Sequence, residues 1–156
     1  MKTNLWWQCA LSLFLLCVSA PAAQLAVGDA VPAIAARDQH GVAFQFTNGL
    51  RCLLVVTEMA ASKSANQKLA AADADFLEQH HAAYLMDIHT MPGVARVFAL
   101  PKLRKYPHRI VLVDDAKTLA DFPTQPGRVT VLALTPAGRV EKISYWDPAR
   151  EAVPVF

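Results

Sequence analysis

Cysteine is nearly absent from this chain. Three occur in 156 residues, Cys9, Cys17 and Cys52, and the first two lie in the N-terminal apolar stretch. A chain that loses that stretch keeps Cys52 alone, so no internal disulfide can form and packing must hold the fold. Glycine is also sparse, at six residues. None falls into the Gly-rich fingerprint that opens a dinucleotide site, so no flavin or nicotinamide cofactor is expected. A dominant charge is missing too. Fifteen basic residues face thirteen acidic ones. Such balance gives no overall reason to expect a nucleic-acid or membrane partner. Beyond residue 23 no apolar run approaches the roughly 20 residues of a membrane span. Repeats and low-complexity segments are lacking as well.

The first residues read as a leader. Lys2 supplies a positive start, Leu5 to Val18 is almost wholly apolar, and Ala20-Pro21-Ala22 provides small residues for cleavage near Ala22 or Ala23. That is the layout of a secretory signal peptide, which predicts a periplasmic or secreted protein. An uncleaved anchor is the alternative, for which the apolar core is short. A lipid-modified Cys17 would need a small residue before it, and Leu16 stands there. Residues 24–156 remain, 133 in number, enough for one domain with one core.

The remaining chain is organised around Arg51 to Gln67. Cys52-Leu53-Leu54-Val55-Val56 is apolar throughout, as in a strand covered on both faces. A short turn and an amphipathic helix should follow. Before it, residues 32–46 read as a hairpin turning at Asp38-Gln39-His40-Gly41. After it, Ala65, Leu69, Ala72 and Phe76 share one helical face, which predicts a core-facing helix. Residues 82–89 read as a strand. Met91-Pro92 opens a second helix that should turn Val94, Val97 and Phe98 inward and end or bend at Pro101. Strands follow at 110–113, 129–134 and 139–145, with a short helical turn at 116–122 and a C-terminal tail from Asp147. The expected class is α/β, a mixed sheet flanked by helices in a single domain.

In this order the segments resemble a known family. VGDAVPAIAARDQHGVAF is similar to the opening segment of exported thioredoxin-like proteins, which include the TlpA-related thiol–disulfide oxidoreductases and the peroxiredoxins. VTVLALTPAGRV resembles the hairpin that closes their sheet. The similarity spans most of residues 27–146 and looks closest to the YtfJ-like branch, which lacks the cysteine pair. The resemblance implies a thioredoxin-like sheet with its functional turn after the Cys52 strand. It places Ser62-Lys63-Ser64-Ala65 where thioredoxins carry Cys-x-x-Cys, and Val129 before Thr130 where they carry a cis-proline. A serine hydroxyl cannot replace the attacking thiolate, so dithiol exchange is not expected.

Candidate residues follow. Ser62, Lys63 and Ser64 could form a binding surface at a helix start, with an unknown protein or a small anionic ligand as partner; a plain helix cap with a solvated lysine is the bland reading. Cys52 is a candidate redox residue for a single-cysteine, peroxidase-like activity, but its place at the start of a buried strand suits a small hydrophobe. Met86, His89 and Met91 suggest a soft copper site, which strand alternation opposes, and no metal is expected. Lys102, Arg104, Lys105, His108 and Arg109 make the one dense basic run. No catalytic constellation emerges. The chain reads as a binding or accessory module.

Overall fold

The structure is a computed structural model that describes residues 24–46 and 49–156. The proposed leader therefore lies outside the described residues. Seven strands of the described residues form one mixed sheet: β1 Ala35–Asp38, β2 Ala43–Gln45, β3 Cys52–Val56, β4 Ala82–Asp87, β5 Val111–Val113, β6 Val129–Leu134 and β7 Val140–Trp146. Their order across the sheet is β2-β1-β5-β4-β3-β6-β7. β3, β4 and β5 run parallel, and the flanking pairs are antiparallel. Among the described residues three helices accompany them: α1 Met59–Ala70, α2 Phe76–Gln79 and α3 Gly93–Leu103. Among the described residues no helix is long and apolar enough to cross a membrane.

The apolar run at Cys52 does become an inner strand. Its residues divide by alternation. Cys52, Leu54 and Val56 pack with Ala61, Ala65, Leu69, Leu77 and Leu103 from the helices. Leu53 and Val55 face the opposite layer, made of Val31, Ile34, Leu119, Phe122 and other buried apolar residues. Helices thus cover one face, while the N-terminal segment and a turn-rich stretch at 116–122 cover the other. Residues 116–122 form a series of i→i+3 turns, closed by bonds such as Ala120 N to the Lys117 carbonyl, without a regular helix, and the tail after Trp146 has no helix.

The 32–46 hairpin is present, with Ala36 opposite Phe44. Asp38 closes its turn: one carboxylate oxygen accepts from the amides of His40 and Val42, both at 2.9 Å. This is the side-chain mimicry that makes aspartate a turn residue. Burial raises the Asp38 pKa, but the two amides and Arg109 outweigh that and hold the carboxyl below its usual range.

Helix phase departs from expectation twice. The pattern Ala65, Leu69, Ala72, Phe76 assumed one helix, but the chain breaks at 71–75 and restarts as α2. The restart shifts the phase by one residue: Leu77 is buried, and Phe76 is only half-buried against the His80 ring at 4.3 Å. In α3 the correction is larger. Val94, Val97 and Phe98 are 75, 68 and 67 % exposed rather than inward. The inward stripe is Arg96, Ala99, Leu100 and Leu103, the last three packed on the helix-side core. The Arg96 guanidinium binds Asp114 at 2.5 and 2.6 Å and the carbonyl of Ile88 at 2.8 Å, and its Nε donates to the carbonyl of Met91 at 2.9 Å. Turning this stripe toward the sheet leaves Val97 and Phe98 outward. Pro101 lies inside α3 and does not end it.

Candidate functional site

Open α/β sheets place chemistry beyond the carboxyl ends of their parallel strands. Here that position is the junction of β3 with α1. The helix begins earlier than the sequence suggested, with Glu58 as its N-cap and Met59 as its first residue. Glu58 does not cap through its side chain. Its carboxylate instead accepts the amide of Gly127 at 2.9 Å, tying the junction to the loop before β6. Gly127 has φ +71°, a left-handed conformation that glycine adopts without strain. Met59 is 56 % exposed at the helix start.

Ser62, Lys63 and Ser64 consequently lie one turn inside α1, not on a turn before it. The amide of Ser62 already donates to the carbonyl of Glu58 at 2.9 Å. Ser62 is buried, Ser64 is half-buried, and only Lys63 is exposed. The three do not share a surface. Neither serine caps the helix. Glu58-Met59-Ala60-Ala61 are good helix formers, which agrees with the early start, but none is a preferred cap, whereas Ser62 and Ser64 are, and they drew the expected start inward.

Ser62 enters a buried polar chain that the sequence reading missed. Its hydroxyl donates to Met86 Sδ at 3.2 Å. Asn66 Nδ2 donates to the Ser62 carbonyl at 2.9 Å and to its hydroxyl at 3.3 Å. That leaves Asn66 Oδ1 as an acceptor, 3.0 Å from His108 Nε2. The network therefore assigns the His108 proton to Nε2 and leaves Nδ1 as a bare acceptor. His108 is 2 % exposed, and burial lowers its pKa to about 4. Its Nδ1 has no hydrogen-bond partner, and neither does the buried Tyr84 hydroxyl. Burial pushes that phenol well above its usual range, against a lowering influence from nearby Ser62.

The basic run resolves into separate roles. Arg104 Nε donates to the Gln39 carbonyl at 3.0 Å. Arg109 binds Asp38 at 3.0 Å and the Ala43 carbonyl at 3.1 Å, with its guanidinium over the Phe44 ring. Gln39 completes the seam, donating to the His108 carbonyl and accepting from the Ile110 amide, both at 2.8 Å. Three of the five residues thus fasten the approach to β5 onto the β1–β2 turn or onto α1. Lys102 and Lys105 remain exposed.

Cys52 is 1 % exposed at the first position of β3, and burial raises its thiol pKa to about 12. It is the free cysteine of the described residues. The proposed copper ligands do not converge: Met86 holds the Ser62 hydroxyl, while His89 Nδ1 pairs with Asp87 at 2.7 Å. Among the described residues no three His, Cys, Asp or Glu side chains gather as a metal site. No cis peptide bond occurs among them, at Arg128–Val129 or elsewhere. Thr130 donates its hydroxyl to the Pro123 carbonyl at 2.6 Å.

These elements, a β-hairpin followed by a β-α-β unit and a closing antiparallel hairpin, match solved structures. A protein assigned as the thiol:disulfide interchange protein DsbE from Chlorobium tepidum superposes with a TM-score of 0.59 at 13 % identity, covering 81 % of this chain and 90 % of that one. The fold is thioredoxin-like. The thioredoxin domain of a thiol-disulfide oxidoreductase from Bacteroides vulgatus gives 0.52 at 15 % identity, over 80 % of this chain and 93 % of that one. Peroxidoxin BcpB from Mycobacterium tuberculosis gives 0.51 at 14 %, over 78 % and 86 %. No protein-family model matches the chain, and no curated protein matches it in sequence. At these identities the likeness is one of fold.

Proposed function

We propose that this chain is an exported thioredoxin-fold protein that works without thiol–disulfide exchange, as a binding or accessory module. One observation carries the reading. The β3–α1 junction presents Glu58, Met59 and Ala60, while the one cysteine of the described residues is buried at the far end of β3. Exchange requires an accessible thiolate that attacks a sulfur. A thiol with a pKa of about 12 supplies almost none at neutral pH. The single-cysteine, peroxidase-like alternative through Cys52 meets the same obstacle. Export rests on the leader pattern of residues 1–23.

The partner favoured at the junction is a protein surface. Met59 and Lys63 are exposed on the first two turns of α1 and offer it an apolar and a cationic contact. A small anion is the weaker choice, because the Glu58 carboxylate already lies at the positive end of the helix. The test is reduction of insulin disulfides by dithiothreitol with the mature protein as catalyst. Precipitation at the uncatalysed rate is expected. Acceleration comparable to that of a dithiol thioredoxin would overturn the reading.

A further inference from the structure

The outer face of α3 is apolar. Val94, Val97, Phe98 and Pro101 recur at i, i+3, i+4 and i+7, and all four are exposed. A helix lying on a sheet ordinarily turns polar residues outward. Here Ala99, Leu100 and Leu103 pack on the core from the other side, so α3 carries an apolar stripe on each face. Scattered apolar side chains on a surface are ordinary, but a contiguous stripe rimmed by charge marks an interaction surface.

The charge indicates what that surface meets. Lys102, Arg104 and Lys105 are exposed at the C-terminal end of the same helix and just past it. No acidic residue occurs in the chain between Asp87 and Asp114. Those two are themselves taken up, Asp87 by His89 and Asp114 by Arg96. Among the described residues none of the three cations pairs with a carboxylate. The whole chain is nearly balanced, so this excess is local.

We infer that the outer face of α3 docks on an anionic phospholipid surface. Val94, Val97 and Phe98 enter the boundary between headgroups and acyl chains, and Lys102, Arg104 and Lys105 meet the lipid phosphates. Lysine and arginine stems are long enough to keep their charges at the headgroups while neighbouring apolar side chains sit deeper. An acidic protein would satisfy the cations as well, but it would need a groove shaped to this one helix. A bilayer interface accepts a helix lying in its plane without such a fit. The inference concerns α3 and is independent of the outcome of the insulin assay.

Protein lacking residues 1–23 is the sample, because the apolar leader would itself bind lipid; the described residues carry both core layers. Vesicles of phosphatidylglycerol and phosphatidylcholine in equal parts should retain it on sedimentation. Pure phosphatidylcholine vesicles should bind it on the order of tenfold more weakly. Phe98→Ser and the double variant Lys102→Ala/Lys105→Ala should each weaken retention on the anionic vesicles by on the order of tenfold, at an unchanged thermal midpoint. In Phe98→Trp the new indole should shift its emission to the blue on anionic vesicles and be quenched by brominated acyl chains, against the constant background of buried Trp146. No retention by anionic vesicles would overturn the inference. So would equal retention by both vesicle types, retention that survives Phe98→Ser, or an indole at position 98 that lipid leaves unshifted. Self-association abolished by Phe98→Ser, without vesicle binding, would also overturn it and mark the stripe as an interface between copies of the chain.

Discussion

His108 Nε2 and Asn66 Oδ1 stand 3.0 Å apart across 42 residues of sequence. That bond joins the buried side of α1 to the segment leading into β5. It makes His108 a neutral core residue inside a run that otherwise looks like a solvated basic patch. Its pKa is about 4 in the fold, against 6.5 for a free histidine.

The sign of the pH dependence follows. Between pH 6.5 and about 4 the unfolded chain binds a proton at this site and the folded chain does not. Stability from His108 is therefore complete above pH 6.5 and is lost as pH falls toward 4. The loss should be on the order of 2–3 kcal/mol by pH 4. Urea midpoints of wild type and His108→Gln, compared at pH 7.5 and 4.5, should converge at the lower pH. Parallel pH profiles for the two proteins would contradict the assignment.

Leu77 and Phe76 separate the two possible phases of the second helix. Leu77→Ala removes a buried side chain and should cost about 2–5 kcal/mol. Phe76→Ala should cost less, since Phe76 is half-buried against His80. Denaturant unfolding of the two variants gives the order directly, and the reverse order would restore one unbroken helix from α1.

Phe98 gives the corresponding test for α3. Its side chain is largely exposed, so Phe98→Ser should change stability by no more than about 0.5 kcal/mol. Removing Arg96, which holds the helix through Asp114 and the carbonyls of Ile88, His89 and Met91, should cost more: about 1–3 kcal/mol for Arg96→Ala. Thermal melts of the pair would show which side of α3 faces the sheet.

Much of the sheet could be read from the chain. Alternation at Val42 to Phe46, the unbroken apolar run at Cys52 and the β-branched run from Val129 each found a strand, because period and residue type agreed. Helix faces were less legible. In α3 a valine–phenylalanine stripe has the right spacing for a core, but Ala99, Leu100 and Leu103 compete with it at the same spacing, and Arg96 on their face binds Asp114 and nearby carbonyls. The buried polar chain was hidden for a related reason. Ser62, Asn66 and His108 carry no local pattern, and each acquires a role only through a partner brought near by the fold. Of the sequence-derived candidates at the junction, Lys63 is exposed, Ser64 half-buried and Ser62 buried, and the earlier helix start at Glu58 explains why.

The central claim is that this thioredoxin-like fold works without thiol chemistry, and Cys52 offers the most direct measurement. Folded protein lacking residues 1–23, in which Cys52 is the one thiol, is incubated with excess 5,5′-dithiobis(2-nitrobenzoate) at pH 8, and released thiolate is followed with time, with and without 6 M urea. The account predicts no more than slow release from the folded protein, paced by unfolding, and one equivalent at once in urea. Rapid stoichiometric release from the folded protein would mean an accessible thiolate at Cys52, and would contradict it.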